Sequence, residues 1–411
     1  MAKPLPLKKT MKIFSQDINL SDVFMFNEFS EDVEFYQVPE WDSKVEVGKI
    51  LEDRDIVDLR YYVSRVHDFE PQKNVMGDAC YLSARLRSYH PVKDYIQAVE
   101  WDKIPRIDEW LHKTVCCLDN CYTQQVAAKF LIATVARIYN PGCKFDHMMI
   151  LEGSQGIGKS TLVEELAGNW FLDTNFTHKD KDLIDSMRGV FMVEISELSG
   201  MNKKDVDWLK SFLSKKVDRV RLPYAARSKD FKRKCVFVGT YNPSGNNMYL
   251  RDDTGNRRFW PIECGERLNV AYVRENKAQL WAEALTRFKL GEKYHIEDPV
   301  ALSILDEMHG ERELESPTHN MILRWLIGRP DQVSMEDIIT DCLKTEMTRK
   351  SPRELLSIAT TVGIIMRKLK WRKGTNECRN IYYRPAEELT ELAQANAQPD
   401  TPGPEAEGWD E

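Results

Sequence analysis

This 411-residue sequence contains no run of 18 apolar residues, so no segment reads as a membrane-spanning helix. Its opening stretch, MAKPLPLKKTMKIF, is basic but lacks the apolar core that a secretory signal needs. The nine cysteines form no C-x-x-C pair and no His-spaced ligand set, although Cys116, Cys117 and Cys121 cluster. Reduced thiols in a cytoplasmic protein are therefore expected, with no zinc site and no disulfide framework. The last 26 residues hold eight acidic groups and no Lys or Arg, so the net charge of −7 leaves +1 for the other 385. That tail is expected to be disordered. A balanced body with local basic patches suits contact with nucleic acid at defined places.

The most informative stretch is GSQGIGKST, residues 153–161. It fits G-x-x-x-x-G-K-[ST] at each fixed position, through Gly153, Gly158, Lys159 and Ser160. HMMILE before it reads as a buried strand, and TLVEELAG after it as a helix. In that context Gly153, Ser154, Gln155, Gly156, Ile157, Gly158, Lys159, Ser160 and Thr161 would wrap the phosphates of ATP, using backbone N–H groups and a helix N-terminus. Lys159 would reach the β- and γ-phosphates, and the Ser160 hydroxyl would ligate Mg²⁺.

Two further apolar runs read as buried parallel strands: Val190–Val193, ending in Glu194, and Val236–Val238, ending in Thr240 and Asn242. Nucleotide hydrolysis needs one acid to hold Mg²⁺ and another to orient water. Glu194 is assigned to the metal and Glu197 to the water, and the two roles are exchangeable on sequence alone. Asn242 is placed to sense the γ-phosphate. Arg257 and Arg258, after the turn Asp253–Asn256, are candidates for an arginine finger reaching a neighbouring subunit's nucleotide, with Arg258 favoured over Arg257. The fold class is α/β, with a parallel sheet around a phosphate-binding loop.

Between the strands ending in Glu194 and Thr240, residues 202–234 carry twelve Lys or Arg against four Asp. A helix over 205–214 followed by a basic loop or hairpin would suit the backbone of single-stranded DNA, with Tyr224 or Phe231 for stacking. Lys229, Lys232, Arg233 and Lys234 are its candidate phosphate contacts.

The spacing elsewhere divides the chain further. Residues 1–60 read as an acidic, loosely folded lead-in and 61–145 as a helical domain, including an amphipathic helix over 123–142 that Asn140-Pro141-Gly142 stops. The loop-bearing domain takes 146–300. Residues 301–385 supply helices at 319–328, 334–344 (Ser334 as N-cap) and 351–371, then a hairpin over 371–385, a winged helix-turn-helix pattern with a basic excess suited to DNA phosphates. The acidic tail is 386–411.

Several blocks in one order resemble the virulence-associated E family: HPVKDYIQAVEWDKIPRIDEWL, NPGCKFDHMMILEGSQGIGKST, VEISEL, LKSFLSKKVDRVRLPYA, VFVGTYN and LRDDTGNRRFWPIECG, over roughly residues 85–300. The resemblance implies an AAA+ core related to superfamily 3 helicases of phages and mobile elements, working as a ring, expected to be a hexamer, on single-stranded or forked DNA. By it, Lys159 and Ser160 are the Walker A residues, Glu194 and Glu197 fill the Walker B role, and Asn242 is the sensor. Lys210, Arg219 and Arg221 then lie in the DNA-facing segment. The chain departs from many superfamily 3 members in lacking an adjacent acidic pair: Glu194 and Glu197 are three apart. Longer relatives carry a primase domain. Fewer than 90 residues precede the matched blocks here, so no primer synthesis is expected.

The favoured expectation is an ATP- and Mg²⁺-dependent helicase-like motor of mobile-element replication. The alternatives are an ATP-controlled origin-binding protein, or a loader that docks a host replicative helicase.

Overall fold

The computed structural model describes residues 6–175, 180–196, 198, 201, 203–221, 228–243, 256–312, 317–345, 350–369, 371–376 and 379–384. The chain divides into two compact units, Met1–Leu314 and Glu315–Glu411.

The first unit opens with α1 (Pro6–Gln16), α2 (Ile18–Ser21), β1 (Phe24–Asn27) and β2 (Asp32–Phe35), then α3 (Asp53–His67), α4 (Lys73–Ala84) and β3 (Ser88–Tyr89). The strands form a small sheet of order β2-β1-β3. Here the structure departs from a loose lead-in over residues 1–60. Phe14, Leu20, Phe24, Phe35, Leu59, Val63 and Met76 close into one apolar cluster, each at most 2% exposed. The apolar residues that build it come in short runs such as Val23–Phe26, drawn from separate segments between residues 13 and 84, so no single sequence window shows the pattern.

α5 (Pro91–Gln97), α6 (Trp110–Val115) and α7 (Cys121–Tyr139) follow. α7 begins at an Asn120 cap, whose side chain accepts from the Thr123 N–H, and ends just before Pro141. It is buried on nearly every face rather than amphipathic. The reason is that it packs into one apolar core with the main sheet, so it belongs to the loop-bearing body and not to a separate helical domain.

That sheet is built from β4 (Met148–Glu152), α8 (Lys159–Ala167), β5 (Phe171–Asn175), α9 (Asp180–Ser186), β6 (Met192–Ser196) and α10 (Lys203–Leu213). The chain continues through β7 (Val217–Val220), β8 (Lys229–Lys232), β9 (Val236–Tyr241), β10 (Phe259–Glu263), α11 (Val270–Lys289) and α12 (Pro299–Arg312). Five strands pair in the order β10-β4-β9-β6-β5, every pair parallel. Side chains alternate across it: Met149 and Leu151 of β4 enter the core shared with α7 and α11, while Met148 and Ile150 enter the one shared with α10. Burial on both faces explains the unbroken apolar runs. β7 and β8 form a separate antiparallel hairpin.

α12 closes the first unit, so the boundary falls at 314/315 and not at 301. The Arg312 side chain holds α12 to the ends of two strands, bonding both Glu152 oxygens at 2.8 Å and Glu263 at 2.6 Å.

The second unit contains α13 (Pro317–Leu326), β11 (Gln332–Ser334), α14 (Met335–Asp337) running into a π-helical turn (Ile338–Cys342), α15 (Pro352–Lys368), β12 (Arg372–Asn376) and β13 (Arg379–Tyr383). Its antiparallel sheet has the order β11-β13-β12. Ser334 caps α14 as expected, accepting from the Asp337 N–H at 3.0 Å.

Candidate functional site

The parallel sheet gathers its chemistry at the C-terminal ends of three neighbouring strands. β9 lies between β4 and β6, so the glycine loop after β4, Thr240 and Asn242 at the end of β9 and Glu194 in β6 converge at the point where strand order reverses. The loop needs its glycines. Gly156 and Gly158 have φ of +82° and +102°, and a Cβ on Gly153 would lie 2.7 Å from the Ile157 side chain.

Lys159, the first residue of α8, is only 6% exposed. Its ammonium donates to Gly153 O at 2.7 Å, Ser154 O at 2.8 Å and Asn242 Oδ1 at 2.7 Å. Burial lowers its pKa, against the raising influence of Cys264 and Glu194. Ser154, Gln155, Gly156, Ser160 and Thr161 are exposed along the loop and first helical turn, with Ile157 half-buried.

Glu194 is fully buried. Its Oε1 accepts from Ser160 Oγ at 2.6 Å and from Thr240 Oγ1 at 2.8 Å. Its Oε2 is buried and has no hydrogen-bond partner among the described residues. A buried carboxylate with one satisfied and one orphaned oxygen, beside the Ser160 hydroxyl, fits a hard cation that takes most of its ligands from phosphate and water. Among the described residues no group of three or more His, Cys, Asp or Glu side chains is placed to hold a metal ion. Burial raises the Glu194 pKa, the two hydroxyls lower it, and the charge of Asp173 raises it again.

A raised carboxyl pKa makes the charged form a liability to the folded state. The native protein holds its proton to higher pH than the unfolded chain, so the penalty is absent below the unfolded pKa of about 4 and is complete above the folded one. Glu194→Gln is therefore expected to raise the urea midpoint at pH 7, with the gain fading as pH falls toward 4. An equal midpoint at both pH values would show that the carboxyl is not strained.

Asp173 is a residue the sequence reading missed. It is exposed on β5 and pairs in register with Glu194. A short strand ending in Asp-Thr-Asn was its only signal. Glu197, the second assigned acid, lies outside the described residues, as does Tyr224.

The candidate DNA contacts separate into three groups. Arg219 (76% exposed), Arg221 and Lys232 are exposed on or beside the hairpin, and Phe231 is half-buried there, its ring under Lys229 at 5.2 Å. Lys229 is exposed but ion-paired with Glu31, and Lys234 is mostly buried, bonding Glu28 O at 2.8 Å, Phe29 O at 2.9 Å and Glu31 at 3.1 Å. Arg233 is not a surface contact at all. It is 1% exposed, bonds both Asp218 oxygens at 2.6 and 3.0 Å, and lies over the Phe212 ring at 4.1 Å. Losing one partner of such a buried pair typically costs about 3–5 kcal/mol, so Arg233 ties the hairpin to α10. Lys210 is also buried, at 7% exposure, on α10.

Arg257 and Arg258 precede β10, whose first residue pairs with the first residue of β4. They sit at the opposite end of the strands from the glycine loop. Arg258 bonds Ser214 Oγ at 3.0 Å and approaches Asp146 at 3.5 Å, whereas the Arg257 side chain is exposed. His147 Nδ1 and the Arg257 carbonyl are 3.1 Å apart. Burial pushes the His147 pKa down to about 4, so the neutral ring donates that bond and fixes the Arg257 backbone.

The sequence profile of the virulence-associated protein E-like domain matches residues 96–313. The chain belongs to the virulence-associated protein E-like family. The matched span runs from the end of α5 to just past α12 and contains the five-stranded sheet, the glycine loop and the basic hairpin. Two solved structures of the NrS-1 C-terminal region are similar over most of the chain. One, described as its A-form apo structure, is 13% identical, with a TM-score of 0.44, covering 87% of this chain and 95% of that one. The other, of residues 305–718, is 12% identical, with a TM-score of 0.45 and coverage of 88% and 96%. No curated protein matches the chain. No helix among the described residues is long and apolar enough to cross a membrane.

Proposed function

We propose that this family member is an ATP-hydrolysing, helicase-like DNA motor of phage or mobile-element replication, with an AAA+ type core. The observation that carries the proposal is the constellation at the strand ends: Lys159 on Asn242, and Ser160 and Thr240 on Glu194, around one glycine loop. The loop N–H groups and Lys159 would bind and orient the triphosphate. Asn242, released from Lys159, would face the γ-phosphate. Ser160 and Glu194 would hold Mg²⁺, which when bound supplies charge neutralisation at the β- and γ-phosphates. Glu194, Asp173 and Glu197 are the acids available to orient water. The exposed Arg257, too far from its own loop, would complete the site of an adjacent subunit in a ring, expected to be a hexamer.

The hairpin β7–β8 is the part proposed to touch one DNA strand, through Arg219, Arg221, Lys229 and Lys232. The second unit is read as a winged helix, with β12–β13 as the wing. Its three helices and basic wing favour a second reading, an ATP-controlled origin-binding protein or a loader of a host helicase.

The test is ATP turnover with and without single-stranded oligonucleotide, alongside opening of a forked duplex. DNA-stimulated turnover with fork opening is expected. Turnover that ignores DNA, with no opening, would leave the origin-binding or loader reading. No turnover at all would remove the motor.

A further inference from the structure

Resting on the DNA reading of the hairpin, one feature of the amino-terminal segment extends it. Residues 28–31 form the turn between β1 and β2, and this turn lies against the basic hairpin. It is rigidly made. Asn27 Oδ1 accepts from the Phe29 and Ser30 N–H groups, Asn27 O accepts from Glu31 N at 2.8 Å, and Glu31 itself has φ of +64°, in the left-handed region that side chains disfavour. It is also tightly seated. Arg188 donates to Ser30 O at 3.0 Å and pairs with Asp32, and a Cβ on Gly189 would lie 3.0 Å from the Ser30 Cβ.

The turn delivers one carboxylate to two lysines, Lys229 and Lys234. Burial works against the Glu31 charge, but the two ammoniums outweigh it and hold its pKa below the usual carboxylate value. Beside this contact is an open cleft of about 380 Å³ between α5, the end of α7 and the hairpin. Four lysines line it: Lys93 from α5, and Lys229, Lys232 and Lys234. Lys93 lies 5.6 Å from the Tyr139 ring. Lys232 is exposed. The four cations share the lining with Glu28, Glu31, Asp230 and the His90 ring, and a lysine-rich cleft beside an aromatic ring has the character of a single-strand backbone groove. An acidic side chain held in it on a prebuilt turn occupies the place that a phosphate would take.

We propose that this cleft is the single-stranded DNA groove, with Lys93 as a contact outside the hairpin, and that Glu31 is an internal phosphate mimic which DNA must displace. A strand entering the groove exchanges the Glu31 carboxylate for a phosphodiester on the exposed Lys229, while Lys234 keeps its bonds to the Glu28 and Phe29 carbonyls. Each phosphate neutralised on single-stranded DNA contributes about 0.7 to the salt slope.

The experiment measures binding of oligothymidylate by the full chain across a salt series, for wild type, Glu31→Gln and Glu46→Gln, the last an exposed acid that removes the same charge away from the cleft. Glu31→Gln should tighten binding about tenfold at low salt with the slope unchanged, because the same phosphates are neutralised in both bound states, and Glu46→Gln should stay close to wild type. In parallel, bound oligonucleotide should protect Lys93 from acylation, read by mass spectrometry on the wild type, which needs no variant to fold. If wild type binds but Glu31→Gln behaves as Glu46→Gln, the mimic is overturned while the DNA reading stands. If DNA leaves Lys93 as reactive as before, the groove is overturned. If no form binds the oligonucleotide, the DNA reading falls and the inference with it.

Discussion

Lys159→Ala should lower ATP turnover by about a thousandfold while leaving the unfolding midpoint nearly unchanged. The size follows from Coulomb's law. A positive charge 4 Å from a phosphate oxygen at an effective dielectric of 20 is worth about 4 kcal/mol, and 1.36 kcal/mol is tenfold in rate. Lys159 is the buried cation of the loop, and its ammonium is aimed along the sheet edge at Asn242. Stability is expected to hold because two of the three oxygens it satisfies belong to the loop backbone, where Ser154 is exposed and water can take over. Phosphate release and a thermal melt of the same preparations check both halves. Turnover within a few-fold of wild type would remove the loop from the reaction. A collapsed midpoint would instead make Lys159 a structural cation.

The candidate site is legible in the sequence where one local pattern holds all its parts. Gly153, Gly158, Lys159 and Ser160 are fixed by a single motif, and Glu194, Thr240 and Asn242 by apolar runs that stop at a polar residue. The structure adds what no local window contains. That Thr240 and Ser160 share one oxygen of Glu194 depends on β9 lying between β4 and β6. Asp173 becomes visible only once β5 is known to pair with β6. Arg233 was misread for the same reason. In sequence it is one cation in a basic run, and only the approach of Asp218 across the hairpin base shows that it is buried.

The fold follows a similar division. Strands buried on both faces announce themselves, and so do capped helices such as α7 and α15. The amino-terminal sixty residues do not, because β1 and β2 are four residues each and their core is completed by α1, α3 and α4. Acidic composition there signals no looseness. Some of those acids, Glu31 and Asp32 among them, pair with cations of the main body.

Arg257→Ala should reduce turnover by a further class of effect, about 10³- to 10⁵-fold, with ATP binding unchanged within a few-fold. The geometry forbids Arg257 from serving its own nucleotide. It precedes Phe259, which pairs with Met148, while the glycine loop follows Glu152 at the far end of the same five-residue strand. At about 3.3 Å per residue, that separation exceeds what the side chain can span. Its backbone is nonetheless fixed by His147 and its side chain is exposed, as a group presented to a neighbour would be. Arg258, bonded to Ser214 and near Asp146, is expected to act on stability first. Mixing subunits decides the matter. Lys159→Ala and Arg257→Ala chains, each inactive alone, should regain activity when co-assembled, because random mixing in a closed ring leaves about one interface in four with both groups intact. No recovery from a mixture shown to co-assemble would place both residues in one subunit's site and end the shared-site mechanism.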